Sequence, residues 1–198
     1  MTFDPDIHHR RSIRLQGYDY AQRGAFFVTV CTHNRECLFG QIQENVMVLN
    51  DAGRMIERWW QELPNKYPMV HMDVYTVMPN HFHGVVAIVG AALRGRPDNA
   101  NENDGGQPPR VAPTLGTMID WFKTMTTNNY IRGVRQHQWR TFPGKLWQRN
   151  YYEHIIRNED DLNAVREYIV NNPAGWDRDD NNPEFVGAGL KPAPTASL

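Results

Sequence analysis

The pair His81 and His83, at the head of the apolar run at residues 85–89, places the strongest constraint on the fold of this chain. Side chains alternate along a β-strand, so both imidazoles would point to one face and Phe82 to the other. The run is rich in β-branched residues on both faces, which is typical of a central strand covered on both sides. Such a strand would hold two nitrogen ligands ready for a metal ion. The alternative is two half-buried histidines with ordinary hydrogen-bond partners.

The surrounding elements are read from hydrophobic periodicity and from capping residues. Apart from a short strand at 46–49, the order of the first elements is strand, helix, strand, strand. A later helix is stopped by Gly133, and a last one is capped by Asn158 and ended by Pro173. The predicted strands are 25–32, 46–49, 70–78 and the histidine strand, with 151–157 extended, and the predicted helices are 51–63, 115–131 and 159–171.

Composition divides the chain into a single domain with flanking segments. Residues 1–24 form a basic lead-in, and residues 25–176 form the domain. The segment 90–113 is rich in Gly, Asn, Asp and Pro and cannot bury enough apolar surface to order itself, so it is predicted to be a flexible insertion. A disordered tail is expected at 177–198.

Neither a membrane span nor a secretory signal is predicted. No apolar stretch reaches the roughly 18 residues that a span needs, and charges stand where a signal peptide would have its apolar core. A cytoplasmic protein without a membrane partner is therefore expected.

Charge is distributed unevenly, although the net charge is only −1. Residues 110–157 carry 8 Lys/Arg and 2 Asp/Glu, a net charge of +6, and lie between acidic segments. This stretch is also rich in aromatic residues, and cations beside aromatic faces are typical of sites for single-stranded nucleic acid. A role in the helix core is the simpler reading for Trp121 and Phe122. The candidate DNA contacts are Arg10, Arg11, Arg14, Lys123, Arg132, Lys145, Trp147, Arg149 and Arg157.

Tyr168 and Asn172 stand four residues apart in the last predicted helix, on neighbouring turns of one face. Two imidazoles and an amide oxygen would hold Mg²⁺ or Mn²⁺, and the phenol would serve as a nucleophile toward a phosphodiester. Pro173 disfavours helical geometry at the residue before it. Asn171 and Gln148 therefore stay open as alternative third ligands.

Tyr151 is the alternative nucleophile. In an extended segment, Tyr152 and His154 share a face, but no amide follows Tyr151 at helical spacing. Tyr168 is preferred because one helix would deliver both the phenol and a ligand to the metal.

Three motifs in this order resemble a known family, the REP-associated tyrosine transposases among the HUH single-strand DNA transposases. They are Met78-Pro-Asn-His-Phe-His83, residues 146–158 (LWQRNYYEHIIRN) and residues 167–173 (EYIVNNP). The resemblance covers about residues 10–176. It implies an α+β fold of the HUH nuclease type, with a ferredoxin-like antiparallel sheet and helices packed on one face.

The resemblance also implies a function. Single-stranded DNA would be cut and rejoined at specific sites beside imperfect hairpins, through a covalent 5′-phosphotyrosine on Tyr168, with Asn172 as the amide ligand. The alternative is a non-catalytic module of the same fold that binds hairpin DNA or RNA. Histidine-triad hydrolysis is excluded because the third alternating position is Val85. The oligomeric state stays open, with a homodimer as the assembly to test.

Overall fold

A computed structural model of the chain describes residues 23–89 and 113–185. Arg10, Arg11 and Arg14 lie outside these residues, as do almost all of the predicted insertion and the last part of the predicted tail. The strands are β1 (Gly24–Cys31), β2 (Gly40–Gln43), β3 (Val46–Leu49), β4 (Val70–Val77), β5 (His81–Ile88) and β6 (Tyr152–Ile156). The helices are α1 (Asp51–Gln61), α2 (Leu63–Lys66), α3 (Leu115–His137) and α4 (Glu159–Asn171), and 3₁₀ turns span His33–Arg35 and Pro173–Arg178.

The main sheet has four strands in the order β4-β5-β1-β6, and every neighbouring pair is antiparallel. Helix α1 connects β1 to β4 along the chain, and α3 connects β5 to β6, so each helix joins two strands that are not neighbours. This is the split βαβ topology of the ferredoxin-like fold. The predicted fold class is confirmed. Strands β2 and β3 form a separate hairpin between β1 and α1.

Helices α1 and α3 cover one face of the sheet. Strand alternation sends Phe26 and Val28 of β1, and Phe82 of β5, into this layer, where all three are fully buried. The Phe82 ring lies 4.6 Å from that of Trp60 in α1 and 5.4 Å from that of Phe122 in α3, measured between ring centroids. Phe82 therefore points away from its two histidine neighbours, as strand alternation predicted.

Helix α4 lies on the opposite face. Its apolar stripe packs on a second, smaller core in which Phe27, Val85 and Ile169 are buried. The resemblance implied helices on one face; α1 and α3 follow it, while α4 closes the other face because its own apolar side needs cover. Val85 shares a face with His81 and His83, so α4 lies against the face that carries both histidines.

Helix ends follow local capping with one exception. The Asn50 side chain accepts a hydrogen bond from the Gly53 amide at 2.9 Å, and that of Asn158 accepts one from the Asp161 amide at 2.8 Å, as N-caps do. Gly133 does not end α3, which continues to His137. A Cβ at Gly133 would stand 2.1 Å from the Trp139 ring, so the glycine admits that ring against the helix. No helix among the described residues is both long and apolar enough to span a bilayer.

Candidate active site

The two histidines meet at the start of β5, completely buried. Their Nε2 atoms are 3.0 Å apart. Two ligands at right angles around one ion, each about 2.1 Å from it, are separated by about 3.0 Å. The strand therefore holds the imidazoles at the spacing of adjacent ligands of one metal ion.

Each imidazole is fixed by a hydrogen bond at its other nitrogen. Asn80 Nδ2 donates to the carbonyl oxygens of Arg35 and Asn181, at 3.0 and 2.7 Å, which leaves its Oδ1 to face His81 Nδ1 at 2.9 Å. His81 Nδ1 therefore carries the proton, and Nε2 presents a lone pair. His83 Nδ1 lies 2.8 Å from Thr29 Oγ1, a hydroxyl that can accept or donate. Partners of this kind orient the histidine ligands of metal sites.

Both imidazoles are neutral in this environment. Burial lowers the pKa of His81, and the nearby Asp179 carboxylate opposes that shift only in part. Burial also lowers the pKa of His83 well below its usual value, and the neighbouring His81 lowers it further. Neutral imidazole is the form that binds a metal.

Helix α4 carries Tyr168 and ends beside Asn172 over the histidine pair. The Tyr168 ring lies 5.3 Å from that of His83 and 5.9 Å from that of Phe27, in edge-to-face geometry. Burial, followed by the charge of Asp179, raises the pKa of the Tyr168 phenol to about 12. The phenol is therefore protonated at neutral pH in the metal-free protein.

The amide oxygen of Asn172 is buried without a hydrogen-bond partner among the described residues. A buried acceptor with no partner is costly, and a bound cation is one group that would satisfy it. Burial and the charge of Asp179 are the larger causes of the pKa shifts of His81 and Tyr168. The Asn172 side chain is a smaller cause, which raises the pKa of His81 and lowers that of Tyr168, so it lies beside both groups. These observations fit the predicted metal site.

Asp179 was missed by the sequence analysis. It follows the 3₁₀ turn Pro173–Arg178, and its Oδ2 lies 3.8 Å from His81 Nε2. His81, His83 and Asp179 together could hold a metal ion, because their ligand atoms all lie within 4.8 Å of one another.

The chain packs past residue 176, where the sequence placed the end of the domain. Asn182 is buried, and the Asn181 carbonyl accepts from Asn80. The described part of the predicted disordered tail, residues 177–185, therefore contributes to the site. A run of carboxylates at Asp177, Asp179 and Asp180 was the one signal in the sequence.

The two alternative third ligands lie nearby but not at the histidine pair. Gln148 Nε2 donates to the Thr32 carbonyl oxygen at 3.2 Å, and Asn171 is exposed at the end of α4. Both line a cleft of about 810 Å³ that opens beside the histidine pair. Tyr168, Asn172 and Asp179 line the same cleft, and so do Tyr151, Arg35 and Arg178.

The basic aromatic segment is more buried than its composition suggests. Trp147 was predicted as a DNA contact, but it is 5% exposed, and its Nε1 donates to Thr126 Oγ1 at 2.9 Å. Its ring lies against Phe39 and Phe122 in the main core, so it has no free face for a base. This assignment is corrected.

Lys123 also has a structural position. Its Nζ donates to the carbonyl oxygens of Gln148, Arg149 and Asn150, at 3.1 to 3.3 Å, and thereby holds the loop before β6. Burial lowers its pKa to about 8. Its three N–H groups are thus engaged within the protein, which corrects its assignment as a phosphate contact. The remaining described candidates are exposed, namely Arg132, Lys145, Arg149 and Arg157.

Comparisons with known proteins bear on both fold and family. The chain is 37% identical over 179 residues to an uncharacterised protein of Haemophilus influenzae, covering 89% of this chain and 95% of that protein. It is 22% identical over 158 residues to a second H. influenzae protein, provisionally named a REP-associated tyrosine transposase, covering 78% and 73% of the two chains. No family model matches the chain.

A solved structure shares the fold. It is that of a REP-associated tyrosine transposase bound to a REP hairpin, with a TM-score of 0.50 and 18% identity, over 82% of this chain and 73% of that chain. The chain therefore shares the fold of a REP-associated tyrosine transposase, and its sequence is similar to that of a protein provisionally given the same name.

Proposed function

We propose that the protein cuts and rejoins single-stranded DNA at specific sites beside hairpins, with a divalent metal ion and a covalent 5′-phosphotyrosine on Tyr168. The observation that carries this is the convergence of four side chains. Tyr168 of α4 and Asn172, which directly follows α4, lie beside the His81 and His83 pair of β5. Tyr168 and Asn172 also line the cleft. The hairpin in the solved relative supports the kind of DNA involved.

The metal site would be formed by His81, His83 and the oxygens of Asn172 and Asp179. Mg²⁺ or Mn²⁺ suits a set that includes two oxygens, and when bound it would polarise the phosphodiester and offset developing negative charge. Thr29 and Asn80 keep the two imidazoles in the ligating orientation. Burial keeps both imidazoles neutral, so no proton has to leave them before binding.

The chemical step would be a transesterification on Tyr168. Its phenol oxygen forms a bond to phosphorus, and the bond from phosphorus to the 3′ oxygen of the preceding nucleotide breaks. The phenol proton is lost, and the departing oxygen takes up a proton to become a 3′-hydroxyl. Because one phosphoester replaces another, the hydroxyl can reverse the step and join strands without ATP.

The experiment is an incubation of labelled single-stranded DNA that carries a hairpin with the protein and Mn²⁺ or Mg²⁺, followed by a denaturing gel. A protein-linked product is expected, and EDTA should abolish it. His81→Ala or His83→Ala should remove cleavage while DNA binding is largely retained. Undiminished cleavage in EDTA would refute the metal role.

Two tyrosine variants identify the nucleophile. Tyr168→Phe removes one oxygen and almost no packing, so it should fold and bind DNA but form no adduct. Tyr151→Phe is the matched control, because Tyr151 lines the same cleft. Mass spectrometry of the trapped adduct should place the nucleotide on Tyr168. An adduct on Tyr151 or Tyr152 would overturn the assignment, and DNA binding without any adduct in the wild type would favour the non-catalytic binding module.

A further inference from the structure

The turn that follows β1 has an unusual backbone. Asn34 and Arg35 have φ angles of 56° and 55°, so two successive residues other than glycine are left-handed. Such conformations persist only where the surrounding structure imposes them, and they occur often at functional sites. Here the Thr32 hydroxyl donates to the Glu36 carbonyl oxygen at 2.9 Å and closes the turn. The fold therefore fixes the direction in which the Arg35 side chain leaves the backbone.

Arg35 and His81 are anchored to one side chain. Asn80 Nδ2 donates to the Arg35 carbonyl oxygen at 3.0 Å, while Asn80 Oδ1 faces His81 Nδ1 at 2.9 Å. The same buried amide thus fixes the backbone of Arg35 and the ring of His81 relative to each other.

Arg35 lines the same cleft as Thr29 and Cys31 of β1. These two residues pair with His83 and His81 of β5 across the sheet. Arg35 therefore lies on the side of the sheet that carries the histidine pair.

The charge is not neutralised by a carboxylate. Within residues 23–89 and 113–185, no Asp or Glu oxygen lies within ion-pair distance of Arg35, in contrast to Arg54, Arg140 and Arg166. The Arg35 side chain donates to the Asp180 carbonyl oxygen. A guanidinium has five N–H donors, so donors remain on a half-buried cation that lines the cleft beside Tyr168.

We propose that Arg35 is a catalytic residue that binds a non-bridging oxygen of the phosphodiester attacked by Tyr168. This rests on the proposed function. The planar fork of a guanidinium matches phosphate oxygens, and a fixed cation at the point where charge develops stabilises the transition state. The left-handed turn and the shared Asn80 amide would keep the guanidinium in place before DNA arrives.

The test is a cycle that combines Arg35→Gln with a change to one substrate atom. The wild type and the variant are each given hairpin DNA with either a normal scissile phosphate or a methylphosphonate, as separated diastereomers, in which a methyl group replaces one non-bridging oxygen. Single-turnover adduct formation is measured. With the normal phosphate, the variant should be roughly 10²–10³ times slower. With the diastereomer that lacks the oxygen bound by Arg35, the variant should be less than about ten times slower than the wild type.

Further variants separate a catalytic role from a structural one. Arg35→Lys keeps the charge but loses the fork, so it should recover part of the rate. Arg58→Gln, on the opposite face of the sheet, should match the wild type. An equal loss with phosphate and both methylphosphonates would overturn the assignment, as would a variant that cuts at the normal rate. If the wild type forms no adduct, the proposed function fails, and this assignment fails with it.

Discussion

At the scale of single residues, Asn80 connects three parts of the candidate site. Its amide contacts His81, the Arg35 carbonyl and the Asn181 carbonyl, so β5, the turn after β1 and the C-terminal segment meet at one buried side chain. An amide is suited to this position because it donates two hydrogen bonds and accepts others without a charge.

Asp179 gives a prediction at the same scale. If its carboxylate completes the ligand set, Asp179→Asn should weaken Mn²⁺ binding by roughly 10- to 100-fold, because a neutral amide replaces a charged ligand of similar shape. Asp180→Asn is the matched control, since it makes the same charge change in the same cleft. Calorimetric titration of the protein with Mn²⁺ measures both. Equal weakening by the two variants would indicate a general charge effect and not ligation.

The predicted site residues that the fold brings together differ in a physical way from Asp179, which the sequence analysis missed. His81, His83, Tyr168 and Asn172 follow from the periodicity of one strand and one helix, which are local properties. Asp179 follows an irregular turn, where no period indicates the direction of a side chain. Its approach to His81 depends on tertiary packing.

Trp147 and Lys123 show the same limit of sequence reasoning, here as residues wrongly predicted to contact DNA. Composition predicted that both side chains face DNA. Instead, the Trp147 ring is buried against Phe39 and Phe122, and the Lys123 ammonium donates to backbone carbonyl oxygens. Whether a residue in a basic aromatic stretch is exposed depends on contacts with distant parts of the chain.

At the scale of elements, α4 was predictable to its ends because its signals are local. Asn158 caps it, acidic residues fill its first turn, and Pro173 follows it. Helix α3 was predicted too short, because Gly133 was interpreted as a helix end. The actual role of Gly133 is to make room for the Trp139 ring.

Gly133→Ala tests that role. Alanine favours a helix by about 1 kcal/mol over glycine. Here the added Cβ would stand 2.1 Å from the Trp139 ring, so the net effect on unfolding should be a loss of about 1–3 kcal/mol. Urea denaturation measures it. In a Trp139→Ala background the same substitution should no longer destabilise, and a loss of equal size there would show that the ring is not the cause.

The packing of α4 on β4 should depend on pH through Asp73. The hydrogen bonds from Arg166, at 2.9 and 2.6 Å, are the main reason why the pKa of the Asp73 carboxyl lies below its ordinary value of 3.8. A carboxyl with a lowered folded-state pKa contributes stability above its unfolded pKa and loses it as the pH falls through the folded pKa. Asp73→Asn should therefore be less stable than the wild type at pH 7, and the difference should shrink below about pH 3.8. Urea midpoints over this range would measure the effect, and a constant difference would contradict the expectation.

At the scale of the whole molecule, the two faces of the sheet have separate tasks. Helices α1 and α3 form the large core on one face, and the other face carries α4, the histidine pair and the cleft. The stability of the domain therefore comes mainly from the layer that does not contain the candidate chemistry.

DNA binding should reflect the low net charge of −1. Affinity for single-stranded DNA flanking a hairpin should fall with salt, but with a shallower slope than for a strongly basic protein, because few counterions are released. Fluorescence anisotropy between about 50 and 200 mM NaCl would measure the slope. A blunt duplex of the same sequence should bind more weakly, because its bases stay stacked. Equal affinity for the duplex would rule out single-strand recognition.

The position of the histidines at the start of β5 has a practical consequence. Ile88, at the other end of the strand, is seven residues from His81, or roughly 23 Å at 3.3 Å per residue. Strand β5 therefore ends well away from the paired imidazoles, and residues 90–112 connect it to α3 in the sequence. A fluorescent reporter or an affinity tag could be inserted in this connection, or the gene could be divided there into two co-expressed fragments. Such changes would leave every proposed ligand of the metal in place.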